Sequence, residues 1–278
     1  MLVDLNAVLK DARVNGYGVG LFNTTDTDML EAVISVAEEL RSPVVIGTAE
    51  ILLPYGELRL IAPSMVAAAK RASVPVVVHY DHGLTFEKTV EAMDLGFSSV
   101  MFDASTLPYA ENVAATARIV KLAHSRGVTV EGEIGHVGQA DHSDNLQQDL
   151  YTTAEEAERF QSETGVDALA VSIGTAHGVY KSTPVLNLER LAEIRARIES
   201  PLVLHGGSGL SDDDFRNVIR CGISKVNIFT DLCLAGSRGC DEALKKGLGY
   251  LDMRNYKVET IRKAVADKIR LFGCAGRA

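Results

Sequence analysis

Eight short apolar, β-branched runs are spaced along the chain with helical segments between them, and that alternation restricts the fold more than any other feature. The runs are YGVGLFN (17–23), PVVIGT (43–48), PVVVHYD (75–81), SVMFDAS (99–105), VTVEGEIG (128–135), ALAVSIG (168–174), PLVLHG (201–206) and KVNIFT (225–230). Helical spacing marks the intervening stretches 28–41, 64–72, 111–127, 154–165 and 188–198. Strands that alternate with helices in this way belong to a parallel sheet. Pro43, Pro75 and Pro201 each open a run, one of the few places where a sheet tolerates proline. A single (β/α)8 TIM barrel is the economical architecture, with a doubly wound open sheet as the alternative. No linker, low-complexity tract or charge block divides the chain, so one domain over 1–278 is expected.

Composition narrows the partners. A chain of 278 residues that is 46% hydrophobic can bury a large core. Its net charge of −9 argues against nucleic acid or an anionic membrane as the main partner, while leaving room for a local anion pocket. No apolar stretch approaches the roughly 20 residues needed to span a bilayer. The opening MLVDLNAVLKDARVNG reads as an amphipathic helix with acidic residues, unlike a signal peptide. Cys221, Cys233, Cys240 and Cys274 form no CxxC pair and are expected to be reduced thiols of a cytoplasmic protein.

A barrel of this kind places its active site at the C-terminal ends of its strands, and the chemically capable residues gather there. The runs end in Asn23, Thr48, Asp81 with His82, and Asp103. Glu133 lies near the end of the fifth run, His177 follows the sixth in GTAHG, and His205 ends the seventh. The eighth offers Asn227, Ile228, Phe229 and Thr230. Three histidines from different runs are one of the standard ligand sets of catalytic zinc. His79, two positions before Asp81, is expected inside the barrel, and His124 in a solvated helix tail. The long connection 135–153, which carries His136 and His142, has the length of an active-site lid. HGGSGLSDDD (205–214) reads as a glycine-rich loop entering a helix capped by Ser211. With Gly206, Gly207 and Ser208 on one side and 227–230 on the other, it suits a phosphate.

HYDHG, MFDAS, VEGEIGHVG, VSIGTAHGVY, LVLHGGSGL and GCAGRA, in order along the whole chain, resemble the class II, metal-dependent fructose-bisphosphate aldolases. Within that family the likeness is to the tagatose- or ketose-bisphosphate branch. The resemblance implies a Zn2+ ion on His82, His177 and His205, with Asp103 and Glu133 near it and able to hold it in a second position. It implies that Asp81 transfers the proton and that the dihydroxyacetone-phosphate end lies at Gly178, Gly206 to Ser208 and Asn227 to Thr230. Asn23 and Thr48 are expected to face the substrate as well. A monovalent cation, Na+ or K+, beside the phosphate and a homo-oligomer, dimer or tetramer, are further implications. No Schiff-base lysine is needed: Lys225 opens its run, at the end away from the mouth.

Two departures from the family pattern stand out. GQADH replaces the loop sequence GGEED, so Asp141 takes the place of a proton-exchanging glutamate and Gln139 that of a glycine. LDMRNY (251–256) stands where relatives have DPR, and Arg254 there either meets a distal phosphate or caps a helix. The function these residues imply is reversible cleavage of a ketose 1,6-bisphosphate, of tagatose or fructose type. The products are dihydroxyacetone phosphate and an aldehyde such as glyceraldehyde 3-phosphate. The alternatives are an aldolase for ketose 1-phosphates lacking the distal phosphate, and a metal-dependent sugar-phosphate isomerase or epimerase. A non-catalytic relative is disfavoured, because all three histidines and Asp81 are present.

Overall fold

The computed structural model describes residues 1–135, 137, 151–178 and 184–278. Its strands are β1 (Leu2–Val3), β2 (Val19–Asn23), β3 (Val44–Ala49), β4 (Val76–Gly83), β5 (Ser99–Phe102), β6 (Thr129–Ile134), β7 (Ala168–Val171), β8 (Leu202–Leu204) and β9 (Ile223–Ile228). The order β4-β3-β2-β9-β8-β7-β6-β5, closed by the pairing of β4 with β5, makes an eight-stranded parallel barrel. Each expected run is one of its strands. The two-residue β1 was not expected; it pairs with the start of β4, Leu2 beside Val76 and Val3 beside Val77, at the end opposite the mouth.

The helices alternate with the strands as the apolar spacing requires. They are α1 (Leu5–Asn15), α2 (Thr27–Glu39), α3 (Leu58–Arg71), α4 (Phe86–Asp94), α5 (Tyr109–His124), α6 (Ala154–Thr164), α7 (Leu188–Arg197), α8 (Asp212–Arg220), α9 (Thr230–Lys245) and α10 (Tyr250–Phe272). The third begins six residues before the expected 64 and runs through Pro63, because Leu58, Ile61 and Ala62 bury against the barrel. Ser211 caps α8 as expected, accepting from the Asp214 N–H while Asp214 returns a bond to the Ser211 N–H. No helix among the described residues is long and apolar enough to cross a membrane.

Register decides which side chains enter the barrel. Neighbours paired across parallel strands share a face, so the row Asn23, Gly47 and His79 points one way and Thr48 with Tyr80 the other. Tyr80 packs edge-on against Phe97, centroids 6.0 Å apart, on the helix side. The interior row therefore continues through Ala49 and Asp81. On β6 it comprises Thr129, Glu131 and Glu133, because a side chain at Gly132 would strike Phe160 and Val166 outside the barrel. On β9 it includes Lys225 and Asn227, in register with Val19 and Leu21 of β2. Polar side chains thus run deep into this interior, from Asn23, Asp81, Glu133 and Asn227 near the mouth to Lys225 and Thr129 at the strand starts, with Val19 and Leu21 between them on β2.

Candidate active site

Asp81 and His82 are adjacent, yet both serve the mouth, and a bulge explains how. The β4–β5 register shifts between Tyr80 and Gly83, and His82 adopts φ 102°, a conformation that only glycine takes freely. The extra residue re-aims the histidine ring that simple alternation would send outward. Gly83 completes the turn: a Cβ there would lie 2.3 Å from Thr89 Oγ1 and 2.8 Å from the Met101 carbonyl.

The three expected ligands come together. Ring centroids are 4.4 Å apart for His82 and His205, 5.2 Å for His82 and His177, and 5.8 Å for His177 and His205. One nitrogen from each lies within 4.8 Å of the others. Two of these rings are pinned by carboxylates on their far nitrogens: His82 Nδ1 is 3.0 Å from Asp103, and His205 Nε2 is 2.8 Å from Glu131. Ser105 holds Asp103 in turn through its N–H and hydroxyl. His82 Nε2, His205 Nδ1 and Glu133 Oε2 are buried and have no hydrogen-bond partner among the described residues. Buried nitrogens without partners are costly in a native protein, and a divalent cation satisfies them. The donor set fits one. His82, Asp103 and Glu133 form a second, overlapping group with the same capacity.

Electrostatics separates the charged from the neutral groups. Burial, with His82 and His205 nearby, pushes His177 down to about 3, so it presents a neutral ring. Burial likewise lowers His205. It opposes charge on His82 as well, but Asp81 and the bond to Asp103 outweigh it and raise that ring to about 9. Burial and the neighbouring Asp103 lift Glu133 to about 8. Asp81 shows the opposite balance: burial alone would raise it, yet His82 and Lys225 hold it far below the ordinary carboxylate range. It is ionised and able to accept a proton. Two amides orient it, Asn23 donating to Oδ2 at 2.7 Å and Asn227 to Oδ1 at 3.0 Å.

A cavity of about 290 Å³ opens above these groups. Asn23, Asp81, His82, Asp103, His177, Gly206, Gly207, Ser208, Asn227, Ile228, Phe229 and Thr230 line it, with Ala49, Ile51, Leu52, Leu84 and Val137. Gly206, Gly207 and Ser208 of the glycine loop line the cavity together with Thr230, the first residue of α9, which brings a helix N-terminus, the positive end of its dipole, to the cavity. Ser208 Oγ lies 3.3 Å from the Phe229 N–H and 3.4 Å from that of Asp231, which ties the loop to the helix start. His205 and Glu133 lie beneath the lining; Gly178, at φ 98°, follows His177 without lining the cavity.

Some expectations are corrected by the geometry. Thr48 is fully buried on the outer face of β3, and Ala49, one residue on, is the one that reaches the mouth. Arg254 does not line the cavity; its guanidinium pairs with Asp28 at 3.0 Å and with Glu31, both on α2. His124 does end α5 on the exposed surface as expected, with its ring 2.8 Å from Asp167. Asp141, with Gln139, His136 and His142, lies outside the described residues. Glu131 and Lys225 were missed as site residues. Glu131 carried a signal, since it precedes Glu133 by two and must share its face.

Fold and site together define a (β/α)8 enzyme whose mouth brings three imidazoles, able to hold a metal ion, beside a buried carboxylate. A family model described as fructose-bisphosphate aldolase class-II matches residues 3–277. The fructose-bisphosphate aldolase of Thermus caldophilus is 39% identical, with 100% of each chain covered. That of Staphylococcus epidermidis is 37% identical, over 100% of this chain and 99% of the relative. The crystal structure of the YdjI aldolase from Escherichia coli K12 superposes with a TM-score of 0.92 at 36% identity, over 100% of both chains. The chain belongs to the class II fructose-bisphosphate aldolases, which are metal-dependent lyases.

Proposed function

We propose that the protein is a zinc-dependent aldolase, a single domain over 1–278, that reversibly cleaves a ketose 1,6-bisphosphate of tagatose or fructose type. The observation that carries this reading is the convergence of His82, His177 and His205 with an amide-braced Asp81 beneath one cavity. The three imidazoles, with Glu133 and Asp103 beside them, would hold the zinc. Bound there, it supplies Lewis-acid stabilisation of the negative charge that develops on the ketose oxygens as C3–C4 breaks.

The chain's own residues do the rest. Gly206, Gly207, Ser208 and the residues 227–230 receive the phosphate of the dihydroxyacetone half, with Gly178 and a Na+ or K+ ion close by. That anchoring places the C4 hydroxyl over Asp81, whose free electron pairs accept its proton as the carbonyl of the leaving aldehyde forms. Asn23 and Asn227 keep the carboxylate facing that hydroxyl. Asp141 then delivers a proton to C3, completing dihydroxyacetone phosphate. The enzyme works in the cytoplasm as a homo-oligomer, dimer or tetramer.

A second substrate reading is favoured by one observation. Arg254 is held by Asp28 and Glu31 and stands outside the cavity lining, so within this chain it offers no distal-phosphate contact. Ile51, Leu52 and Leu84 form an apolar wall of the mouth instead, which suits a ketose 1-phosphate.

The experiment is release of dihydroxyacetone phosphate from tagatose and fructose 1,6-bisphosphates and from several ketose 1-phosphates. Each is run with zinc, after chelation, and with His205→Ala. Zinc-dependent release that the variant loses is the expected result, and the panel ranks the substrates. Release from no substrate by the zinc-loaded protein would overturn the aldolase reading in favour of an isomerase.

A further inference from the structure

Beneath the candidate site lies a fully buried ion pair that the reaction does not use directly. Lys225 Nζ is 2.8 Å from Glu131 Oε2, and both side chains have no exposed surface. Removing two charges from water is expensive, and well-packed apolar residues often do as well for stability, so the pair calls for a reason. Its contacts supply one. Glu131 Oε1 takes His205 Nε2 at 2.8 Å, while Lys225 also reaches Asn227 Oδ1 at 2.9 Å. Asn227 Nδ2 in turn reaches both oxygens of Asp81, at 3.0 and 3.2 Å. One chain of hydrogen bonds therefore runs from His205 through Glu131, Lys225 and Asn227 to Asp81.

The direction of every bond in that chain follows from Lys225. An ammonium has only donors, so the Asn227 atom it meets must be the carbonyl oxygen, which turns the amide NH2 toward Asp81. A carboxylate facing Lys225 has only acceptors, so His205 must donate from Nε2. The lone pair of His205 is then on Nδ1, the buried nitrogen left without a partner among the described residues. Asn227 Nδ2 also lies 3.4 Å from His205 Nε2, but its shorter contacts to Asp81 engage its hydrogens. We propose that Lys225 is a positioning residue: through Glu131 it fixes the His205 tautomer that presents Nδ1 to the metal, and through Asn227 it fixes the amide orientation that braces Asp81. This rests on reading His205 as a metal ligand and Asp81 as the proton acceptor.

The test compares wild type, Lys225→Met and the double variant Glu131→Gln/Lys225→Met, which removes both charges at nearly constant volume. Zinc affinity is read by competition with a chelator, the Co2+-substituted absorption spectrum reports ligand geometry, and kcat is separated from KM. Carboxylate partners of metal-bound histidines are worth about 10–100-fold in affinity. A double variant that melts near the wild type yet binds zinc at least tenfold more weakly, with an altered Co2+ spectrum and a fall in kcat, supports the proposal. Affinity within tenfold of wild type overturns it, because a purely structural pair would leave the metal untouched. Should both variants fail to fold, 15N-histidine NMR of the wild-type zinc enzyme decides. A proton on His205 Nε2 supports the assignment, and one on Nδ1 overturns it. Wild-type protein that binds no zinc, or His205→Ala that binds it undiminished, would instead refute the underlying metal-site reading.

Discussion

Asp81 shows how much of the chemistry a single position fixes. Its two oxygens face two amide donors, from Asn23 and Asn227, and positive neighbours keep it ionised despite full burial. Asp81→Asn therefore has two separable effects. Loss of the proton acceptor is expected to lower kcat by about 10²- to 10⁴-fold, the usual contribution of a positioned base. The new amide also sets a donor against one of the existing donors, and an unsatisfied buried group destabilises by about 1–3 kcal/mol. Zinc content should stay at the wild-type level, since the three imidazoles remain. Steady-state kinetics, metal analysis and chemical denaturation together check this, and loss of metal from the variant would move Asp81 into the ligand set. At Gly206 the constraint is steric: φ is 65° and an added Cβ would sit 2.3 Å from the Ala176 carbonyl. Gly206→Ala must displace the segment carrying His205 or that carrying His177, so it is expected to weaken zinc binding more than it lowers the melting temperature.

At the level of the strand, one residue of boundary decides a face. The run 43–48 was readable as a strand, but its polar end, Thr48, turns outward because β3 continues to Ala49. A period of two gives the alternation but not its parity, and a slip of one exchanges the faces. Thr48→Val is accordingly expected to leave kcat and KM unchanged. Its hydroxyl is buried with no partner among the described residues, so the melting temperature should hold or rise. Ala49→Leu, whose side chain enters the mouth, should raise KM about tenfold, or about 1.4 kcal/mol of binding. A kinetic defect in Thr48→Val with none in Ala49→Leu would restore the opposite register. The same reasoning shows what the sequence could and could not reveal. The eight strands, the gathering of the three histidines near their ends and the Ser211 cap depend on local spacing and were legible, whereas the last residue of a strand was not. The partnership of Lys225 with Glu131 spans 94 positions, and no local pattern encodes it. The aim of His82 depends on a bulge in the pairing of two strands, which composition does not mark. Arg254 was ambiguous for a related reason: its carboxylate partners lie more than two hundred positions away on α2.

Taken as a whole, the barrel concentrates opposed charges at one end, and this couples its stability to metal and to pH. A ligand that binds only the folded state adds RT ln(1 + [L]/Kd), about 2.7 kcal/mol at one hundred times Kd. For a chain of this size that corresponds to roughly 5–10 °C in melting temperature. The pH dependence of the gap follows from the metal-free groups. His82 is raised from 6.5 to about 9, so its contribution to the metal-free fold is full below pH 6.5 and is lost as pH rises through 9. Glu133 is raised from 4.5 to about 8, so the metal-free fold also loses stability as pH climbs between those values. Asp81, Asp103 and Glu131 are all lowered, and their contributions are constant above pH 6. Metal on His82 and beside Glu133 displaces the protons those sites would otherwise hold, so the loaded fold escapes both losses. The difference in melting temperature between zinc-loaded and chelated protein is therefore expected to widen from pH 6 to pH 9, with proton release on zinc binding visible in weakly buffered solution. Calorimetric scans at three pH values test this, and a gap that stays constant from pH 6 to pH 9 would show that the ligands are already deprotonated in the metal-free barrel.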